Sequence, residues 1–176
     1  ITSVLLFFIQ FLWFVPFPSF SADVYDPVTF AGTVNVQRFF GGAVAAVAVL
    51  LGPLLLVARR WTLPLGAATV VWGAAASLEA LAFSQRFGGV VAAVIGGLGF
   101  DVVLRLGRGR RWGLPAAAAA GPMLLFTTYL VNAALDTGVG WPPEIWGGLV
   151  AVAGFVGFGL VLLQESGREL DSTSSP

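Results

Sequence analysis

The chain contains no cysteine, no histidine and no lysine, and only 10% of its 176 residues are charged. Without cysteine there are no disulfides and no thiolate chemistry. Without histidine there is no imidazole general base, no axial haem histidine and no zinc site of the usual kind. A soluble domain carries about 25% charged residues. With 57% hydrophobic residues and a mean hydropathy of +0.90, this composition fits a bilayer as solvent. Nine arginines balance nine acids, so zero net charge gives no reason to expect nucleic acid as a partner. Catalytic signatures are missing as well. The sequence GRGRRWG at 107–113 is an arginine turn rather than a phosphate loop, and within the apolar runs no acid pair is spaced to set two carboxylates on one face. The reading is therefore not an enzyme, with no cofactor and no metal.

Long apolar runs are what the chain does have. Six can be marked, at about 2–20, 39–58, 63–83, 87–106, 114–135 and 145–164, each near the roughly 20 residues that cross a hydrocarbon core. They are continuously apolar and rich in Ala, Leu and Gly, whereas strands of a membrane barrel alternate apolar with polar over about ten residues. The expected fold is all-α, an integral membrane bundle of about six helices forming one domain over 1–164. Residues 165–176 read as a polar, disordered tail.

Part of the chain occurs twice. Residues 37–64 and 85–115 share QRF, GG, VAAV, RRW and LP in the same order, and a weaker third copy opens at Trp146. The unit is a helical hairpin, and the copies share one orientation, which predicts tandem, parallel hairpins. Within 87–106, Gly88, Ala92 and Gly96 are spaced by four, as are Gly89, Ala93 and Gly97. Such rows of small residues let helices approach closely in lipid. The second row continues to Asp101, which should point into the packed groove and away from lipid.

Arginine placement sets the expected orientation. Arg59, Arg60, Arg105, Arg108, Arg110, Arg111 and Arg168 fall on one side, and only Arg38 and Arg86 on the other. By the positive-inside rule the first side is cytoplasmic, together with both termini. Trp61, Trp112, Trp141 and Trp146 read as interface anchors. Arg105, Arg108, Arg110 and Arg111 could also hold anionic lipid headgroups. The chain opens on Ile1 rather than Met, so a longer start is expected. Residues 1–15 lack a basic leader region and a small-residue cleavage site, and are read as a membrane segment.

Six residues are candidates for a polar pathway or binding site: Glu79, Asp101, Thr128, Tyr129, Asn132 and Asp136. Intramembrane carboxylates are costly and tend to mark ion or proton paths, which makes Asp101 and Glu79 relay candidates. The structural alternatives are an interfacial pair of Asp101 with Arg105 and outward extension of Glu79 toward Arg86. Thr128, Asn132 and Asp136 are spaced by four and can line one face near Tyr129. That face is either a vestibule wall or a set of interhelical hydrogen bonds.

The Gly97-to-Asp101 spacing, the arginine turn and the segment at 138–147 together resemble a pattern in uncharacterised prokaryotic polytopic membrane proteins. The resemblance runs over 87–163, under half of the chain. It implies a prokaryotic cytoplasmic membrane; the family carries no known activity and adds no site residues. The LPLGAATVV stretch leading to Glu79 is faintly similar to the A subunit of copper membrane monooxygenases, but the lack of histidine speaks against it. The expected function is a non-catalytic structural or accessory component of a membrane complex, with a membrane-protein partner or further copies of itself. The alternative is a small-solute or cation transporter, or the substrate-binding membrane subunit of an importer.

Overall fold

The computed structural model of the chain describes residues 33–83, 88–137 and 143–173. All regular structure among these is helical: α1 (Thr33–Arg60), α2 (Ala67–Phe83), α3 (Gly88–Leu106), α4 (Gly113–Thr137) and α5 (Pro143–Thr173). Five helices thus stand where about six are expected, and the segment 2–20 lies outside the described residues. Three stretches are long and apolar enough to cross a membrane: Gly88–Leu106, Gly113–Asn132 and Trp146–Ser166. The apolar stretches Ala43–Ala58 and Ala67–Ala82 are shorter.

Two boundaries differ from the sequence reading. α2 begins at Ala67 rather than at 63, because Pro64 and the positive-φ Gly66 (φ 88°) keep the preceding residues out of the helix. α5 runs on to Thr173, through residues expected to form a disordered tail. Leu163, Gln164, Glu165, Glu169 and Leu170 are good helix formers, and a helix already nucleated by packing extends at one bond per residue.

Sequence neighbours pack against each other: α2 on α3, α3 on α4 and α4 on α5. The most extensive of these contacts is between α3 and α4. α5 returns to α1, and the two run parallel, with Gln164 reaching the Leu55 carbonyl and Gly157 lying beside Leu51. The α1 and α2 backbones approach each other only sparsely. Trp72 of α2 fills that seam, fully buried, with its indole N–H donating to the Leu50 carbonyl at 2.9 Å. The ends of α1, α3 and α5 therefore share one end of the bundle with the starts of α2 and α4.

The interior is built from Leu50, Leu51, Leu54, Trp72 and Phe100 together with alanines from α2, α3, α4 and α5. Lipid tails are as apolar as these side chains, so close fit rather than the hydrophobic effect holds the helices together. Glycines supply that fit in the middle of the helices. A Cβ on Gly96 would lie 2.5 Å from the Leu125 Cβ, and one on Gly121 would lie 2.9 Å from the Phe100 Cβ. Pro122 leaves the Ala118 carbonyl without its helical donor, and Gly157 of α5 presses directly on that carbonyl. Outward-facing positions carry large apolar residues such as Leu56, Leu81, Leu135, Phe155 and Leu163. A lipid environment accounts for that surface.

Candidate functional site

The site is organised by the row Ala93, Gly97 and Asp101 on α3. Residues four apart share a helix face, and all three are buried. Gly97 has no side chain where the first turn of α2 arrives. A Cβ there would stand 2.6 Å from the Thr69 Cα and 2.7 Å from the Thr69 nitrogen. One turn further along α3, the Asp101 carboxylate meets that same turn.

Asp101 is 2% exposed. Its Oδ1 accepts the Ala68 N–H at 3.2 Å, and its Oδ2 accepts the Thr69 N–H at 2.9 Å and the Thr69 hydroxyl at 2.6 Å. The first bond within α2 runs from the Val70 N–H to the Gly66 carbonyl, and the Ala67 N–H turns back to the Pro64 carbonyl. Ala68 and Thr69 thus carry the second- and third-position N–H groups, which a capping side chain normally takes. Gly66, at the cap position, has no side chain to offer. Asp101 performs the capping from another helix, and its negative charge suits the positive end of the helix dipole.

One of the two readings of Asp101 paired it with Arg105. Among the described residues no ion pair joins the two, and Arg105 is exposed. The carboxylate faces the donors of α2, while Arg105 sits at the helix end where its charge reaches water. As expected, Asp101 points into the packed groove. What the sequence did not show was its partners, Ala68 and Thr69.

Trp72, one turn beyond Thr69, completes the joint. Its ring tilts against Phe100 at a centroid distance of 5.9 Å and lies over Gly121. Four helices therefore meet around Asp101, Thr69 and Trp72. Sequence reasoning missed Thr69 and Trp72. One signal pointed to Trp72: a tryptophan in mid-span rather than at a boundary.

The other candidates lie elsewhere. Asn132 of α4 donates from Nδ2 to the Gly88 carbonyl at 3.1 Å, at the start of α3. Asp101 is thirteen residues further along the same helix, roughly 20 Å away at 1.5 Å per residue. The two do not share a site. Thr127 donates to the Met123 carbonyl within α4 at 2.7 Å, and Thr128 and Tyr129 are half-buried. Glu79 lies in α2 and Asp136 in α4, but their side chains are outside what the structure describes. Gln164 of α5, another residue the sequence reading passed over, donates to the Leu55 carbonyl at 2.9 Å.

Of the packing residues, Ala92, Ala93, Gly96 and Gly97 are buried at helix contacts. Gly88 stands at ordinary contact distance from Asn132, whereas a Cβ on Gly89 would meet nothing within 4 Å. Along the two rows of small residues on α3, the neighbouring helices come closest at Gly96 and Gly97, in the middle of the helix. Of the tryptophans, Trp61 and Trp112 are exposed, Trp146 is half-buried, and Trp141 lies outside the described residues. Among the described residues, no three acids come together as a metal site would need.

Comparison with protein-family models, curated proteins and solved structures yields no match.

Proposed function

We propose that the chain is a non-catalytic structural or accessory component of a membrane complex, working through helix packing with a membrane-protein partner or further copies of itself. One observation carries this reading. The intramembrane polar groups with described partners across helices, Asp101, Trp72, Asn132 and Gln164, all spend their bonds holding one helix to another. A buried carboxylate committed to three donors is a joint rather than a relay. The proposal includes the tandem-hairpin build of about six spans and a prokaryotic cytoplasmic membrane with the arginine end inside.

The test is cross-linking in native membranes, followed by purification in mild detergent and native mass spectrometry. The expected outcome is a discrete hetero- or homo-complex. A lone monomer that co-purifies with no other protein would remove the basis of the proposal.

A further inference from the structure

The turn between α3 and α4 carries four cations that the packing does not use. Arg105, Arg108, Arg110 and Arg111 are all exposed, and none is ion-paired among the described residues. The acid nearest in sequence, Asp101, is buried and engaged with Ala68 and Thr69. The turn is also built to a fixed shape. The Arg108 N–H bonds to the Arg105 carbonyl at 3.2 Å, Arg110 to Gly107 at 2.9 Å, and Gly113 to Arg110 at 3.1 Å. Gly107 and Gly113 touch backbone to backbone, and Gly109 takes a φ of 79° that a side chain would resist. The backbone that carries the arginines is thus fixed in one small area, so that only side chains remain to be ordered when an anion arrives.

We infer that this turn binds the phosphodiester headgroup of an anionic membrane lipid. Guanidinium forks match phosphate oxygens in pairs. Trp112 is half exposed with the Arg110 guanidinium 5.5 Å from its ring centroid, and aromatic rings of this kind sit at headgroup depth. An apolar stripe leads away from the arginines along α3. Leu98, Val102 and Leu106 are spaced by four and are 54%, 45% and 69% exposed. A headgroup on the turn places its acyl chain on that stripe, which a free phosphate would have no use for. The inference goes beyond the accessory role and does not depend on it.

The test uses the full chain in a maltoside detergent, with phosphatidylglycerol, phosphatidylcholine and water-soluble glycerol 3-phosphate as separate probes. Native mass spectrometry reads lipid retention, and thermal unfolding reads stabilisation. Phosphatidylglycerol should be retained and stabilising, phosphatidylcholine much less so, and glycerol 3-phosphate without effect. Arg108→Gln, Arg110→Gln and Arg111→Gln should each weaken retention about fivefold, and Leu98→Ser with Val102→Ser should weaken it as well. In the wild-type chain, about 1 M salt, where charges are screened beyond ~3 Å, should erase the preference for phosphatidylglycerol. This arm decides the matter even if a variant fails to fold. Equal retention of both lipids, a preference that survives the salt, or equal binding of glycerol 3-phosphate would each overturn the inference.

Discussion

Residues 59–64 and 110–115 carry the same Arg-Arg-Trp and Leu-Pro into two different helix starts. After the second, α4 begins at Gly113 with Pro115 inside its first turn, so one of the donors that a helix start leaves unpaired does not exist. After the first, α2 begins only at Ala67, which stands level with Ala118 and so five residues later in the shared register. Two glycines account for the difference. Gly113 packs on Gly107 and lets α4 start at once, where the segment 59–64 has Thr62. Gly66 turns the chain into the bundle just ahead of α2. Ala68, at the second position of α2, is buried away from water, and the protein supplies its acceptor from α3. The helices before the two connections differ to match. With the Gly pairs aligned, α1 presents Ala46, Leu50 and Leu54 where α3 presents Ala93, Gly97 and Asp101. α1 packs by filling space, and α3 by opening a groove and placing a carboxylate at its end.

The largest break in this contrast should come from Asp101→Ala. It strands the buried Ala68 N–H and the half-buried N–H and hydroxyl of Thr69, and should lower stability by about 2–4 kcal/mol, measured by reversible unfolding in mixed micelles. Asp101→Asn keeps one acceptor and should lose less. Amide exchange localises the effect: Ala68 and Thr69 should exchange faster in Asp101→Ala, while Leu114 and Ala116 stay unchanged. Uniform acceleration across the bundle would mean that Asp101 supports general packing instead of capping α2.

Gly97→Ala is expected next. The added methyl meets backbone atoms of Thr69 that cannot rotate away, so overpacking should cost about 1–3 kcal/mol. Gly89→Ala, facing open space eight residues earlier on the same helix, should be neutral or slightly stabilising. Equal effects at the two glycines would contradict the placement of the closest approach.

How much of this was legible from the sequence varied from element to element. The span expected at 87–106 matches α3 (Gly88–Leu106) within a residue, because glycines and an arginine turn punctuate it sharply. The rows of small residues also gave the face on which Asp101 lies. The start of α2 was not legible, because Leu63-Pro64 and Leu114-Pro115 look alike and the deciding glycines lie outside that pair. The partners of Asp101 were not legible either. They stand 32 and 33 residues away, while Arg105 stands at the helical spacing that local pattern reading favours. Trp72 was passed over because its partner, the Leu50 carbonyl, belongs to a backbone whose position no sequence pattern fixes.

Thr69→Val should give a smaller loss, about 0.6–1 kcal/mol, in line with single polar contacts between membrane helices. Combined with Asp101→Asn, it should cost less than the sum of the two, since both act on the same carboxylate. Additive losses would show that the Thr69 hydroxyl contributes elsewhere.

Pro115→Ala should have the smallest effect and is the sharpest probe of the contrast. It restores an N–H at the third position of α4, where no carboxylate waits as Asp101 does for Thr69. In the bundle interior such an orphan would be costly. Pro115 is itself buried, but it stands in the first turn of α4, three residues from the exposed Trp112, so the new donor lies close to water and the loss should stay below about 1 kcal/mol. A loss as large as that of Asp101→Ala would place the start of α4 as deep as that of α2. The proline, rather than proximity to water, would then be what spares α4 a cap.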